Sequence, residues 1–213
     1  INQNGGVPPL PTATIFPSKH FDSVYKRYDE KIKCLIKSMN IQNGLLLFQS
    51  VKDNDDIYIY EMAYRLTGEK HYQIVQKETG ADLLEFMIKL ALNEDVSDFN
   101  LHHYDTSCLP KPACNLAILL KKGQIREITG LQDILKDKDI VGYVQTLYEG
   151  DVVERIGNYG QIFIRFNIIS ESSNKMLQLL KEIEDKIHVY SEDGEDLIIN
   201  HFLTDEKNST IYN

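Results

Sequence analysis

"GLLLFQSVKDNDDIYIYEMAYR", residues 44–65, alternates apolar and polar side chains on either side of a short acidic insert. A period of two is the mark of a strand with one covered face. Residues 45–51 and 56–62 are therefore expected to pair as an antiparallel hairpin, closed by "KDNDD", whose Asn and Asp residues suit a tight turn. Two hairpin positions carry oxygen donors, Gln49 and Glu61. With a period of two, Ile57, Ile59 and Glu61 are expected to share a face, which places a single acid at the end of an apolar stripe. A carboxylate is costly to bury there unless a cation or strong donor meets it. Spacing leaves two readings open. One is an exposed strand-end glutamate ion-paired to Arg65. The other is a partial magnesium shell, in which the carboxylate and the glutamine carbonyl supply hard oxygens while Arg65 holds a phosphate.

Upstream, "FDSVYKRYDEKIKCLIKSMN" sets Phe21, Val24, Tyr25, Tyr28, Ile32, Leu35, Ile36 and Met39 at steps of three and four, the pattern of an amphipathic helix ending between Asn40 and Gly44. Downstream, "TGADLLEFMIKLAL" reads as a second helix, with Gly80 breaking the chain and Asp82 supporting the first turn. "NEDVSDFNLHHYDTSCLPKPAC" is polar, holds two prolines and follows no clean period, so a boundary is expected there, dividing the chain into 1–107 and 108–213. Beyond it come a strand, a Lys-Gly turn and a strand in "NLAILLKKGQIREITGL", a short helix, the strand "IVGYVQTLY", and "QIFIRFNIIS", whose apolar run suits a strand covered on both faces. The helix "NKMLQLLKEIEDKI" and a last strand pair around "SEDGEDLI" follow. The expected class is α+β, with mostly antiparallel sheet packed by helices.

The 213 residues are 42% hydrophobic and 26% charged, enough apolar mass for one large or two small cores. The formal charge is −9 and basic residues never run beyond a pair, which disfavours a nucleic-acid or anionic-membrane partner. The sequence holds no apolar run of membrane-spanning length, and it opens without a basic-then-apolar signal segment, so a cytoplasmic setting is expected. Cys34, Cys108 and Cys114 are spaced too irregularly for a disulfide framework or a four-ligand zinc site and read as reduced thiols. The opening "INQNGGVPPLP" resembles a loop cut in mid-protein.

The run "GLLLFQSV", a short turn, "IYIYEMAYR" and "KETGADLLEFMIKLAL" together resemble the carboxy-terminal half of an ATP-grasp domain, most closely that of the carbamoyl-phosphate synthase large-subunit type. There, a Gly-led strand carries a metal-binding Gln or Glu, a second strand ends Glu-x-Asn-x-Arg, and a Thr-Gly pair opens a helix. With the hairpin, the resemblance implies that Gln49 and Glu61 are metal ligands on one face of neighbouring strands, close enough to share a cation, that Arg65 binds the transferring phosphoryl group, and that Leu47 and Phe48 wall the nucleotide pocket. It implies ATP with Mg²⁺ or Mn²⁺, and a ligase that activates a carboxylate or bicarbonate for attack by an amine or ammonia. Ala63 departs from the pattern, standing where the family has Asn. A methyl group cannot coordinate a cation. "GQIREITGL", "GDVV" and "IEDKIHVYSEDGEDLI" resemble the small domain that follows the grasp in related carboxylases and ligases. A glycine-rich phosphate loop and its lysines, which the family carries in the other half, are missing from the sequence, so the chain alone is expected to be inactive.

Other polar groups invite attention. "GEKHY" places Glu69, Lys70 and His71 on an expected solvated turn, and the equivalent loop in the resembling enzymes faces substrate. His102, His103, Asp105 and Cys108 crowd together, but adjacent histidines in a strand point opposite ways and chelate poorly. Two alternatives to the ligase stand beside it: a binding or regulatory module that has lost its chemistry through Ala63, and an assembly piece whose exposed strand edges mediate dimerisation.

Overall fold

The computed structural model describes residues 10–54, 56–99 and 109–199. These form two compact units, one from the residues up to Phe16 together with those from Lys111 onward, the other from Pro17 to Pro110. In chain order the elements are β1 (Ala13–Phe16), α1 (Phe21–Ser38), β2 (Leu47–Asp53), β3 (Asp56–Ala63), α2 (Tyr72–Thr79), α3 (Leu83–Ala91), β4 (Ala113–Leu119), β5 (Gly123–Thr129), α4 (Leu131–Ile134), β6 (Ile140–Gln145), β7 (Val152–Val153), β8 (Ile162–Ile169), α5 (Ser173–Lys186) and β9 (His188–Ser191). All pairings are antiparallel, and the class is α+β. Among the described residues no helix is long and apolar enough to cross a membrane.

The first unit is built on a four-stranded sheet in the order β1-β4-β8-β6. Every residue of β4 and of β8 is buried, which accounts for apolar side chains on both faces of these strands. Leu116, Ile118, Ile164, Phe166 and Ile168 form one core cluster with Met176, Leu179, Leu180 and Ile183 of α5. Ser172 caps that helix by accepting from the Lys175 amide. The opposite face of the same strands is partly polar. There the Arg165 guanidinium donates to Asn115 Oδ1 at 2.6 Å, and Asn115 Nδ2 donates to Asn167 Oδ1 at 2.6 Å, so buried polar groups meet one another. A three-stranded sheet, β7-β5-β9, completes the unit.

β1 differs from the expected division at 107/108. Its residues pair with β4, Thr14 opposite Asn115 and Phe16 opposite Ala113, and so join the unit that begins again at Lys111. The reason is a backbone one: β4 has β8 on one side only, and β1 supplies partners for its other row of amides and carbonyls.

In the second unit β2 and β3 form a two-stranded sheet, and α1 is fastened to its turn end. The Tyr28 hydroxyl accepts from the Ile57 amide at 3.0 Å, and Arg27 pairs with Asp56 at 2.5 Å. α1 ends where Asn40 takes φ 54°, as its sequence suggested. α2 occupies a stretch for which no element was expected; it stops at Gly80, φ 81°, and Asp82 then caps α3 by accepting from the Glu85 amide at 2.9 Å.

Candidate functional site

The register of the hairpin sets the geometry. Leu47 lies opposite Ala63, Phe48 opposite Met62, Gln49 opposite Glu61, and then the pairing slips so that Ser50 meets Ile59 and Val51 meets Tyr58. Tyr60 is the extra residue of a β-bulge in β3. Opposed residues of an antiparallel pair share a face, with Cβ atoms about 4.5–5.5 Å apart. One face therefore carries Leu47, Gln49, Val51, Tyr58, Glu61 and Ala63; the other carries Phe48, Ser50, Lys52, Ile57, Ile59 and Met62.

This corrects the expected stripe. Ile57 and Ile59 do share a face, but Glu61 is on the opposite one, because the bulge inserts one residue and inverts the alternation beyond it. The same inversion brings Glu61 onto the face of Gln49. Leu47 shares that face, whereas Phe48 points to the other side of the sheet, so the two cannot wall the same pocket across this hairpin.

Arg65 follows two residues beyond β3 and is exposed; its Nη1 donates to the neighbouring Leu66 carbonyl at 3.0 Å. The ion pair with Glu61 that spacing allowed is not formed, and the Glu61 carboxylate is exposed on its strand. Tyr64, the residue before it, donates its hydroxyl to the Asn43 carbonyl at 2.6 Å and lies against Gly44, whose φ is 121°. A Cβ at Gly44 would collide with the Tyr64 ring, so this is where a glycine must lead the strand that carries Gln49.

Gln49 has one further contact that alternation gave no sign of. The Tyr60 hydroxyl donates to its Oε1 at 3.0 Å, at the bulge that leaves Tyr60 and Glu61 together opposite the one glutamine. A residue displaced by a register slip has no signature in a single sequence.

Hard oxygens from an amide and a carboxylate on one face, neither tied up in an ion pair, fit a divalent cation such as Mg²⁺ or Mn²⁺. Ala63, on that same face, adds a methyl group and no ligand. Among the described residues no three His, Cys, Asp or Glu side chains gather around a point, so a cation here would complete its shell with water or phosphate oxygens.

Glu69, Lys70 and His71 form a less solvated turn than expected. The His71 imidazole and the Glu69 carboxylate stand 2.9 Å apart and are 18% and 20% exposed, and Lys70 holds φ 59° at the entry to α2. The cluster of His102, His103, Asp105 and Cys108 lies outside the described residues.

Neither a protein-family model nor a curated protein sequence matches the chain. Solved structures do. Phosphoribosylglycinamide synthetase from Anaerococcus prevotii superposes with a TM-score of 0.71 at 19% identity, over 86% of this chain and 46% of that one. L-amino acid ligase from Bacillus licheniformis gives 0.73 at 17%, over 90% and 46%. The biotin carboxylase domain of the 2-oxoglutarate carboxylase from Hydrogenobacter thermophilus, determined with MgADP, ADP and bicarbonate, gives 0.62 at 13%, over 89% and 40%. The chain thus spans less than half the length of these structures and shares its fold with part of each.

Proposed function

We propose that the chain is the carboxy-terminal part of an ATP-dependent ligase of the ATP-grasp kind, closest in type to carbamoyl-phosphate synthase. The observation that carries this reading is the direct opposition of Gln49 and Glu61 on one hairpin face, in a fold shared with such enzymes. In the reaction, a carboxylate or bicarbonate oxygen attacks the γ-phosphorus of ATP and ADP leaves. An amine or ammonia then attacks the acyl carbon of the resulting acyl phosphate, and phosphate departs.

Gln49 and Glu61 would hold a Mg²⁺ or Mn²⁺ ion, which supplies charge neutralisation to the phosphates. Arg65, exposed four residues beyond Glu61, would bind phosphoryl oxygens in a forked, charge-assisted contact. Leu47 offers apolar surface on the same face for a nucleotide. None of these groups is an evident general base, which suits a reaction that depends on positioning and charge stabilisation. With one carboxylate, one amide and a methyl at Ala63, the face accommodates one cation better than two.

A second reading rests on Ala63 alone: a binding module that keeps the fold and lacks the chemistry. Isotope transfer separates the two. The protein is expressed with its complete reading frame and incubated with Mg-ATP, ammonia and bicarbonate or carboxylates labelled with ¹⁸O. Transfer of label into the released phosphate is the expected result, because an acyl phosphate surrenders one substrate oxygen. Nucleotide binding without labelled phosphate for any acid would reject the ligase and leave the module.

A further inference from the structure

Gln49 poses a chemical problem that a glutamate would not. A carboxylate presents two equivalent oxygens, but an amide presents one oxygen and one NH₂, and the terminal torsion that exchanges them is soft. Directly across the strand pair stands Glu61, an acceptor that the Gln49 NH₂ could satisfy. If it did, the pair would close on itself, with a nitrogen where a cation needs an oxygen.

The structure holds the other arrangement. Gln49 Oε1 is engaged by the Tyr60 hydroxyl at 3.0 Å, and Gln49 Nε2 makes no hydrogen bond to Glu61. A hydroxyl that donates takes one lone pair of the amide oxygen and leaves the second available. Tyr60 is 64% exposed, so its ring is not there to fill a core, and at the bulge it stands beside Glu61, opposite the same glutamine.

We infer that Tyr60 is a positioning residue for the cation site: its hydroxyl fixes the amide of Gln49 with the oxygen on the side of β3 and prevents the closed Gln49–Glu61 hydrogen bond. This rests on the reading of Gln49 and Glu61 as cation ligands. It also ties the hydroxyl to the glutamine, since a carboxylate at position 49 would need no such orientation.

Paramagnetic broadening by Mn²⁺ alone, followed in ¹⁵N-resolved amide spectra of the 213-residue chain, reads both the place and the strength of weak binding. Broadening confined to amides around Gln49 and Glu61, and abolished in Glu61→Ala, is expected. In Tyr60→Phe the Mn²⁺ concentration for half-broadening should rise about five-fold, the ratio one neutral hydrogen bond is worth. In the Gln49→Glu background the same Tyr60→Phe change should have no effect, a rescue that a merely structural role would not show. Tyr60 is exposed, so Tyr60→Phe leaves the fold intact, and unchanged amide spectra without Mn²⁺ check this. If Tyr60→Phe leaves the midpoint within two-fold of the parent while Glu61→Ala abolishes binding, the cation site stands and the role of Tyr60 is wrong. Equal losses in both backgrounds would also overturn it. No localised broadening in the parent chain would overturn the cation site and the inference with it.

Discussion

Gly44→Ala tests the physical reason for the glycine at the head of the strand that carries Gln49. Gly44 has φ 121°, a region that residues with a Cβ rarely enter. Holding Ala there costs about 1–2 kcal/mol. The new methyl would also collide with the Tyr64 ring. Tyr64 is 48% exposed and can swing aside, so the collision costs chiefly its hydrogen bond to the Asn43 carbonyl, about 0.5–1 kcal/mol at an exposed site. Against these stands about 0.4–1 kcal/mol from the smaller freedom of an unfolded chain with Ala in place of Gly. The net is about 1.5 kcal/mol. Because the effect is local, hydrogen exchange of the amides paired between β2 and β3 is the appropriate measure, and they should exchange about ten-fold faster. Tyr64→Phe removes only the hydroxyl; combined with it, Gly44→Ala should still show the backbone part of its cost. Exchange within two-fold of the parent chain would refute the argument, showing that the turn relaxes to a conformation open to any residue.

Tyr28→Phe removes the acceptor for the Ile57 amide and the donor to Asp56, and should lower the stability of the same hairpin by about 1–2 kcal/mol; a loss below about 0.3 kcal/mol would mean that water serves equally well. Burial pushes the Cys114 thiol up to about 12, while Cys34 is exposed, so a thiol reagent added to the native protein should modify Cys34 and spare Cys114. An unfolded cysteine ionises near pH 8.5. The folded state therefore binds the Cys114 proton more tightly, and the stability this gives is whole below about pH 8.5 and is lost as pH rises toward 12. Urea unfolding should show the advantage of the parent chain over Cys114→Ala shrinking across that interval; a constant difference would contradict the assignment.

Periodicity alone determined much of the fold. The three- and four-residue spacing from Phe21 onward gives α1, the polar insert with Asn54 at φ 53° gives the hairpin turn, Asp82 marks the start of α3, and the mostly apolar run of β8 announces a strand buried on both faces. Each of these is a local property, set by neighbouring residues along the chain. The residue types of the candidate site were legible in the same way, since an acid and an amide stand among the apolar residues of the two strands.

Their sharing of one face was expected from the hairpin together with the family resemblance, and the register bears it out, but alternation alone did not give the way it is reached. Without the slip at Tyr60, the register from Ser50–Ile59 would run on to set Gln49 opposite Tyr60 and put Glu61 on the far face. Tertiary structure decides between the two registers, because both satisfy the alternation and they differ in how the strands twist and what each face meets. β1 is a second case: four residues remote in sequence complete the edge of β4, a hydrogen-bonding demand that belongs to the sheet and leaves no mark on the strand itself. Arg165, Asn115 and Asn167 are a third. Inside apolar strands each alone reads as an interruption, and only when β4 and β8 lie side by side do the three satisfy one another, which is what allows a buried guanidinium to be kept.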